Sequence, residues 1–205
     1  EIPDETGGPY PGDGSNGPNV LTESGIVRSD ITSSFGTMSG TAAGVPLTIK
    51  LTIVNSNASC AALAGSAVYL WHCDRDGNYS LYTAASENYL RGVQEADSSG
   101  TVTFTSIFPA CYPGRWPHIH FEVYSSLSDA TSAGKGLKTS QIALPEAACN
   151  EVFATEGYEQ SVGKLKQTSL KSDMVFGDGA TLETPSITGN VTDGYVLNLT
   201  VAVPA

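Results

Sequence analysis

The segment Tyr112-Pro-Gly-Arg115-Trp-Pro-His118-Ile-His120-Phe holds two of the chain's three histidines, one residue apart. In a strand, positions i and i+2 share a face, so both imidazoles would be presented to one point. Two neutral imidazoles aimed at one point are the beginning of a metal site. Tyr112 lies six residues before His118, across a Pro-Gly turn, and can fold back onto the same point. Arg115 adds a fixed cation three residues before the first histidine. The segment points to a metal with nitrogen and phenolate ligands beside a guanidinium. The plainer reading uses the same residues as ordinary strand histidines and a packed tyrosine with a hydrogen-bonded hydroxyl.

Something must hold that segment extended and bring further residues to it. Residues 46–55, 66–73, 101–108, 118–124, 137–144 and 194–203 read as strands, several with clean alternation of apolar and polar side chains. Asp74-Arg-Asp-Gly77 and Asp97-Ser-Ser-Gly100 are turn signals. Residues 1–20 are rich in Pro, Gly, Asp and Asn and read as an irregular arm. Pro145 suits the first turn of a helix, and 146–170 is the best helical stretch. Short strands separated by turns predict a mainly β chain. The expectation is a single β-sandwich domain over 1–205, prealbumin-like or immunoglobulin-like.

Acidic residues outnumber basic ones 21 to 10, for a net charge of −11. A polyanion repels phosphate backbones and anionic lipid surfaces, so neither nucleic acid nor membrane is an expected partner. No apolar run approaches the ~20 residues of a membrane helix. Charged residues make up only 15% of the chain, and Cys60, Cys73, Cys111 and Cys149 form an even set without C-x-x-C spacing. Together these predict an exported protein with two disulfides rather than a cysteine-bound zinc. The opening Glu1-Ile-Pro-Asp reads as a processed mature end. The sequons at Asn57, Asn78, Asn190 and Asn198 carry little weight in a Ser/Thr-rich chain.

Taken together, Trp71-His-Cys-Asp-Arg-Asp-Gly77-Asn-Tyr79-Ser, Phe108-Pro-Ala-Cys-Tyr112, Arg115-Trp-Pro-His118-Ile-His120-Phe and Thr139-Ser-Gln141 resemble the intradiol ring-cleavage dioxygenases, the catechol and protocatechuate dioxygenase family. The likeness includes the Gly8-Pro9-Tyr10 arm and runs over most of residues 5–145. The compact Tyr-Pro-Gly-Arg-x-x-His-x-His form resembles the extracellular single-chain branch. The resemblance implies a non-haem Fe(III) ion held by Tyr79, Tyr112, His118 and His120. It implies cleavage of catechols by O₂ to cis,cis-muconate-type products, with Tyr112 as displaceable ligand and base. It assigns Arg115 to charge stabilisation beside the metal, Gln141 to the substrate or dioxygen-derived oxygen, and Tyr10 to the substrate pocket. It lacks the helical dimerisation zone of the cytosolic enzymes, so a monomer is expected. Chemistry agrees with the metal: free tyrosine titrates near ~10, and a hard trivalent cation is what keeps phenolates bound. A Cys73–Cys111 bridge would tie the two phenolate ligands together, leaving Cys60–Cys149 to anchor the helical segment.

Two other classes use the same residues. A zinc or copper enzyme could be built on His118 and His120, but its third histidine would have to be His72, which matches no ligand position and reads as structural. A secreted β-sandwich could bind aromatic or polysaccharide ligands without catalysis, and would then hold no stoichiometric iron.

Overall fold

The alternation of Pro46-Leu-Thr-Ile-Lys-Leu-Thr-Ile-Val-Asn55 becomes strand β1 (Pro46–Asn55) in the computed structural model, which describes residues 1–132 and 134–205. Leu47, Ile49, Leu51 and Ile53 turn inwards and are fully buried. β5 (Thr101–Ile107) and the short β2 (Ala61–Ala62) pair antiparallel with β1. β9 (Gly194–Val203) runs parallel to it, and β8 (Ser186–Asn190) completes this sheet on β9. The second sheet has the order β4 (Arg91–Glu95), β3 (Ala67–Trp71), β6 (His118–Tyr124) and β7 (Lys138–Ala143), all antiparallel. The chain is thus mainly β, a sandwich as expected.

The period of two in β3 and β6 decides where the chemistry lies. Val68, Leu70, Ile119, Phe121 and Val123 pack between the sheets against Ile49, Leu51, Phe104 and Leu197. The alternate positions Tyr69, Trp71, His118 and His120 therefore face away from that core. They are buried nonetheless, because residues of the N-terminal region, Val20, Leu21 and Ile26 among them, build a second apolar cluster over Tyr69 and Trp71. The arm is irregular, as expected, but it is firmly docked. Ile2 N–H donates to Ala202, Glu5 N–H donates to Thr139, and Lys138 Nζ reaches Glu1 at 2.8 Å and Asp4 at 2.7 Å.

Three expectations are corrected. The helical stretch 146–170 is two helices, α2 (Glu146–Phe153) and α3 (Glu159–Leu165), following the short α1 (Leu127–Thr131). The break between them contains Gly157 at φ +89, a conformation that no continuous helix can hold. The disulfides are not formed, and all four cysteines are free. Cys60 is exposed in a surface turn while Cys149 is buried in the core, and Cys73 and Cys111 are buried as small apolar groups. β4, Arg91-Gly-Val-Gln-Glu95, and β8 were not expected as strands. Both have mixed polarity and contain glycine, which hides the alternation. No helix among the described residues is long and apolar enough to cross a membrane.

Glu183 is fully buried, and neither of its carboxyl oxygens has a partner among the described residues. Burial first, then Glu5, Asp178 and Asp173, push its pKa from 4.5 up to about 8. The folded chain then holds a proton that the unfolded chain releases. This group therefore costs stability progressively as pH rises from 4.5 through about 8. Glu183→Gln is expected to melt higher than the parent at pH 8, with the gap closing towards pH 4.5. A thermal denaturation series across that range checks it.

Candidate metal centre and active site

Tyr79 is placed by the turn that follows β3. Asp74 Oδ1 accepts from Asp76 N–H at 3.0 Å and from Asn78 N–H at 2.8 Å, and Gly77 takes φ +92 to close the loop. Tyr79 leaves this turn buried, with its hydroxyl towards β6. Tyr112 returns to the same point across Pro113-Gly114, with Gly114 at φ +83. Its hydroxyl stands 3.0 Å from His118 Nε2 and 3.2 Å from Tyr79 Oη. His118 and His120 project from one face of β6, their Nε2 atoms 3.2 Å apart. Tyr79 Oη lies 3.5 Å from His118 Nε2.

His118 Nε2 thus has the other three candidate ligand atoms within 3.5 Å. Ions hold such nitrogen and oxygen ligands at about 2.0–2.2 Å, which sets neighbouring ligands about 3 Å apart. Hydrogen bonding alone does not account for the cluster. His118 Nδ1 lies 2.6 Å from the Trp116 carbonyl, so the proton sits on Nδ1 and Nε2 presents a bare lone pair. That single lone pair has Tyr79, Tyr112, His120 and Arg115 Nη1 around it, the last at 3.3 Å. One lone pair cannot serve both phenols and a second imidazole at once, whereas a cation held by the two phenol oxygens and the two imidazole nitrogens can, with the Arg115 guanidinium beside that set and not part of it. The donor set fits a hard, high-charge metal ion.

Electrostatics point the same way. Burial, reinforced by Arg115, pushes His118 down to about 3, and burial with His118 beside it holds His120 well below the usual histidine range. Both rings are neutral at physiological pH and available as ligands. Burial raises Tyr112 to about 12, and burial together with Tyr112 raises Tyr79 well above the ordinary phenol. Without a strong cation beside them these phenols keep their protons.

The remaining neighbours orient the centre. Trp71 and Gln141 are the cross-strand partners of His120. Trp71 stacks on the His120 ring at 5.0 Å and 5°, which locks its plane although Nδ1 has no partner among the described residues. Gly8 adopts φ +70, and a Cβ there would stand 3.2 Å from His120 Cε1, so only glycine lets the arm pass this close. Arg115 Nη2 donates to Gln141 Oε1 at 2.6 Å, Gln141 Nε2 donates to Thr6 O at 2.8 Å, and Arg115 Nε pairs with Asp173 at 2.9 Å. Tyr10 lies with its ring centre 5.0 Å from that of Tyr79.

A cavity of about 530 Å³ opens onto the centre. Its walls include Pro9, Tyr10, Tyr79, Thr83, Tyr112 and Arg115, with Met174 at the rim. All seven residues singled out in the sequence, Tyr10, Tyr79, Tyr112, Arg115, His118, His120 and Gln141, thus meet in one place. His72 does not join them. Its Nδ1 donates to Cys73 O and its Nε2 accepts from Ser106 Oγ, each at 2.7 Å, so it ties β3 to the opposite sheet. This leaves no third histidine for a zinc triad. Sequence reasoning missed Thr6, Thr83, Asp173 and Met174 at the site, and Arg91 beneath the arm. None carries a local pattern, and the last two of the four lie some 50 residues beyond the histidines.

A family model described as dioxygenase matches residues 16–130, more than half of the chain. Among solved structures, an intradiol ring-cleavage dioxygenase from Tetranychus urticae superposes with a TM-score of 0.75 at 25% identity, over 98% of this chain and 93% of that one. The dioxygenase domain of a dioxygenase–carbohydrate-binding fusion from Streptomyces sp. SirexAA-E gives 0.63 at 20% identity, over 99% and 97%. Catechol 1,2-dioxygenase from Pseudomonas arvilla C-1 gives 0.55 at 18% identity, over 86% of this chain and 56% of that one. None of the curated protein sequences matches the chain.

Proposed function

This chain belongs to the intradiol ring-cleavage dioxygenases, a family of catechol-cleaving and generally Fe(III)-dependent enzymes, and from that premise we propose that it cleaves catechols with O₂ at a non-haem ferric centre. Tyr79, Tyr112, His118 and His120 are the proposed ligands. The observation that carries this reading is the convergence of two phenol oxygens and two imidazole nitrogens at spacings of 3.0 to 3.5 Å. The proposed reaction joins one catechol and one O₂ into a cis,cis-muconate-type dicarboxylate. Both oxygen atoms enter the product, and no external reductant is needed.

A ferric ion held by Tyr79, Tyr112, His118 and His120 would supply Lewis acidity to a catechol in the site. The chain supplies the rest. Tyr112 is the only partly exposed member of the four and stands at the cavity wall, next to the solvent-facing Pro113-Gly114 turn. Its Oη is the base that takes a catechol proton. Tyr79 is buried and stays in place. The Arg115 guanidinium offers a fixed charge to the electron-rich ring, worth about 3 kcal/mol in a water-poor site. Gln141 is fully buried with its amide committed to Arg115 and Thr6, so its part is to hold Arg115 at the cavity wall. Tyr10 and Pro9 exclude water from one side of the cavity.

The cavity of about 530 Å³ is roomy for a bare catechol, which supports acceptance of ring-substituted catechols. Export stays part of the proposal on the low charge content alone, since the free cysteines withdraw the disulfide argument for it. The purified chain is expected to hold one iron and to be red to purple through phenolate-to-iron charge transfer. Anaerobic catechol should shift the visible band, and admitting O₂ should yield the muconate absorbance with matching oxygen uptake. A colourless, iron-free protein that binds aromatics unchanged would support a binding module instead. Stoichiometric zinc or copper would support the other metal reading.

A further inference from the structure

Asp173 lies between two short 3₁₀ turns, Leu170–Ser172 and Phe176–Asp178, beyond the matched dioxygenase region. Its side chain is 0% exposed and fully committed. Oδ2 accepts from Arg115 Nε at 2.9 Å and from Trp116 N–H at 2.6 Å. Oδ1 accepts from Val175 N–H at 2.8 Å and Phe176 N–H at 3.1 Å. The Phe176 ring lies 5.8 Å from the guanidinium carbon. Arg115 therefore uses each edge of its fork separately: Nε on Asp173, Nη2 on Gln141, and Nη1 towards His118 Nε2.

A guanidinium is planar, so fixing Nε and Nη2 fixes Nη1 as well. Without the Nε contact, one hydrogen bond to Gln141 would leave the plane free to rotate about it. We infer that Asp173 is the positioning residue for Arg115, through which the C-terminal segment aims the Nη1 edge at the metal centre. This rests on the proposed role of Arg115. It also gives the segment after the dioxygenase match a part in the chemistry without touching substrate. The buried carboxylate stops Arg115 from turning out into the cavity, where 11% of its side chain is already exposed.

Asp173→Asn keeps the Oδ1 bonds to Val175 and Phe176 but turns an amide NH₂ towards two donors, Arg115 Nε and Trp116 N–H. Measured on the iron-loaded chain, kcat for catechol is expected to fall at least ten-fold, with KM and iron content within two-fold of the parent. Arg115→Met should lower kcat at least as far, and adding Asp173→Asn to it should lower kcat no further. An additional ten-fold loss in the double variant would show a purely structural role and overturn the inference. A second readout needs no metal. In the metal-free full chain the ¹⁵N-labelled Arg115 Nε–H should be protected from solvent exchange, and the protection should vanish in Asp173→Asn. A freely exchanging Nε–H in the parent overturns the inference even if the variant does not fold. If Arg115→Met leaves kcat unchanged, the catalytic role of Arg115 fails instead, and the exchange measurement still decides whether Asp173 holds it.

Discussion

Tyr79→Phe is expected to bleach most of the visible colour of the purified chain, lower its iron content below half, and reduce ring-cleaving activity by more than about a hundred-fold. Removing a residue that merely supports a ligand commonly costs 10–100-fold in metal affinity or activity, so removing a ligand should cost more. The substitution is nearly isosteric and deletes one oxygen. That oxygen sits in a buried cluster where it has Tyr112 at 3.2 Å and His118 at 3.5 Å. The fold should survive, since Tyr79 keeps its ring contacts with Tyr10 and Tyr112. It also keeps its backbone bond to Thr83 Oγ1. His118→Ala should act alike, and it also frees the Trp116 carbonyl. Elemental analysis with a visible spectrum distinguishes a lost ligand from a lost catalytic step. Full colour and iron in Tyr79→Phe would remove this residue from the coordination sphere.

The expectation for Tyr79 came from a different stretch of chain than that for His118 and His120, and this explains how much of the site was readable. The two histidines share a face by the arithmetic of a strand, and Tyr112 comes back across a Pro-Gly turn. Those are local facts. Tyr79 needed a second local signal, the Asp74–Gly77 turn, together with a family resemblance that set the two pieces side by side. Gln141 was reachable through the same resemblance, and the structure makes it the cross-strand partner of His120 in β7. Asp173 and Met174 were not, because they sit in irregular chain whose path is set by packing rather than by periodicity. The sandwich was readable from β1, β5, β6 and β9, where alternation is clean. β4 was not, because Arg91 and Gly92 sit where an apolar pair would be expected. Gly92 is there because a Cβ would meet Ile31 Cγ2 at 2.6 Å. The disulfide expectation rested on parity and composition, which say nothing about distance. Three of the thiols fill core positions that any small apolar group would fill.

Arg91 shows how a residue with no visible signature can matter as much as a ligand. It is 1% exposed and makes no ion pair among the described residues. Its guanidinium instead donates five hydrogen bonds: to Ser80 Oγ, Ser80 O, Pro11 O, Tyr10 O and Tyr69 Oη, at 2.9 to 3.0 Å. Two of these hold the arm at Tyr10 and Pro11, and two hold the residue next to Tyr79. One side chain thus joins a wall of the cavity to a proposed metal ligand. Arg91→Met fills similar volume but leaves several buried acceptors unpaired, each costing about 1–3 kcal/mol. The expected loss is several kcal/mol, a large share of the 5–15 kcal/mol typical of a folded domain. The arm should loosen before the sandwich does, since its β-sheet contacts are few and its docking to the second apolar cluster depends on this anchor. Limited proteolysis should therefore cut Arg91→Met within residues 1–20 under conditions that leave the parent intact, and its melting temperature should drop by more than 10 °C. Arg91→Lys keeps the charge but cannot reach both arm carbonyls and both Ser80 atoms at once, so it should behave nearer to Met than to the parent. If Arg91→Lys matches the parent in both assays, the charge alone would suffice and the five-bond fork would be dispensable.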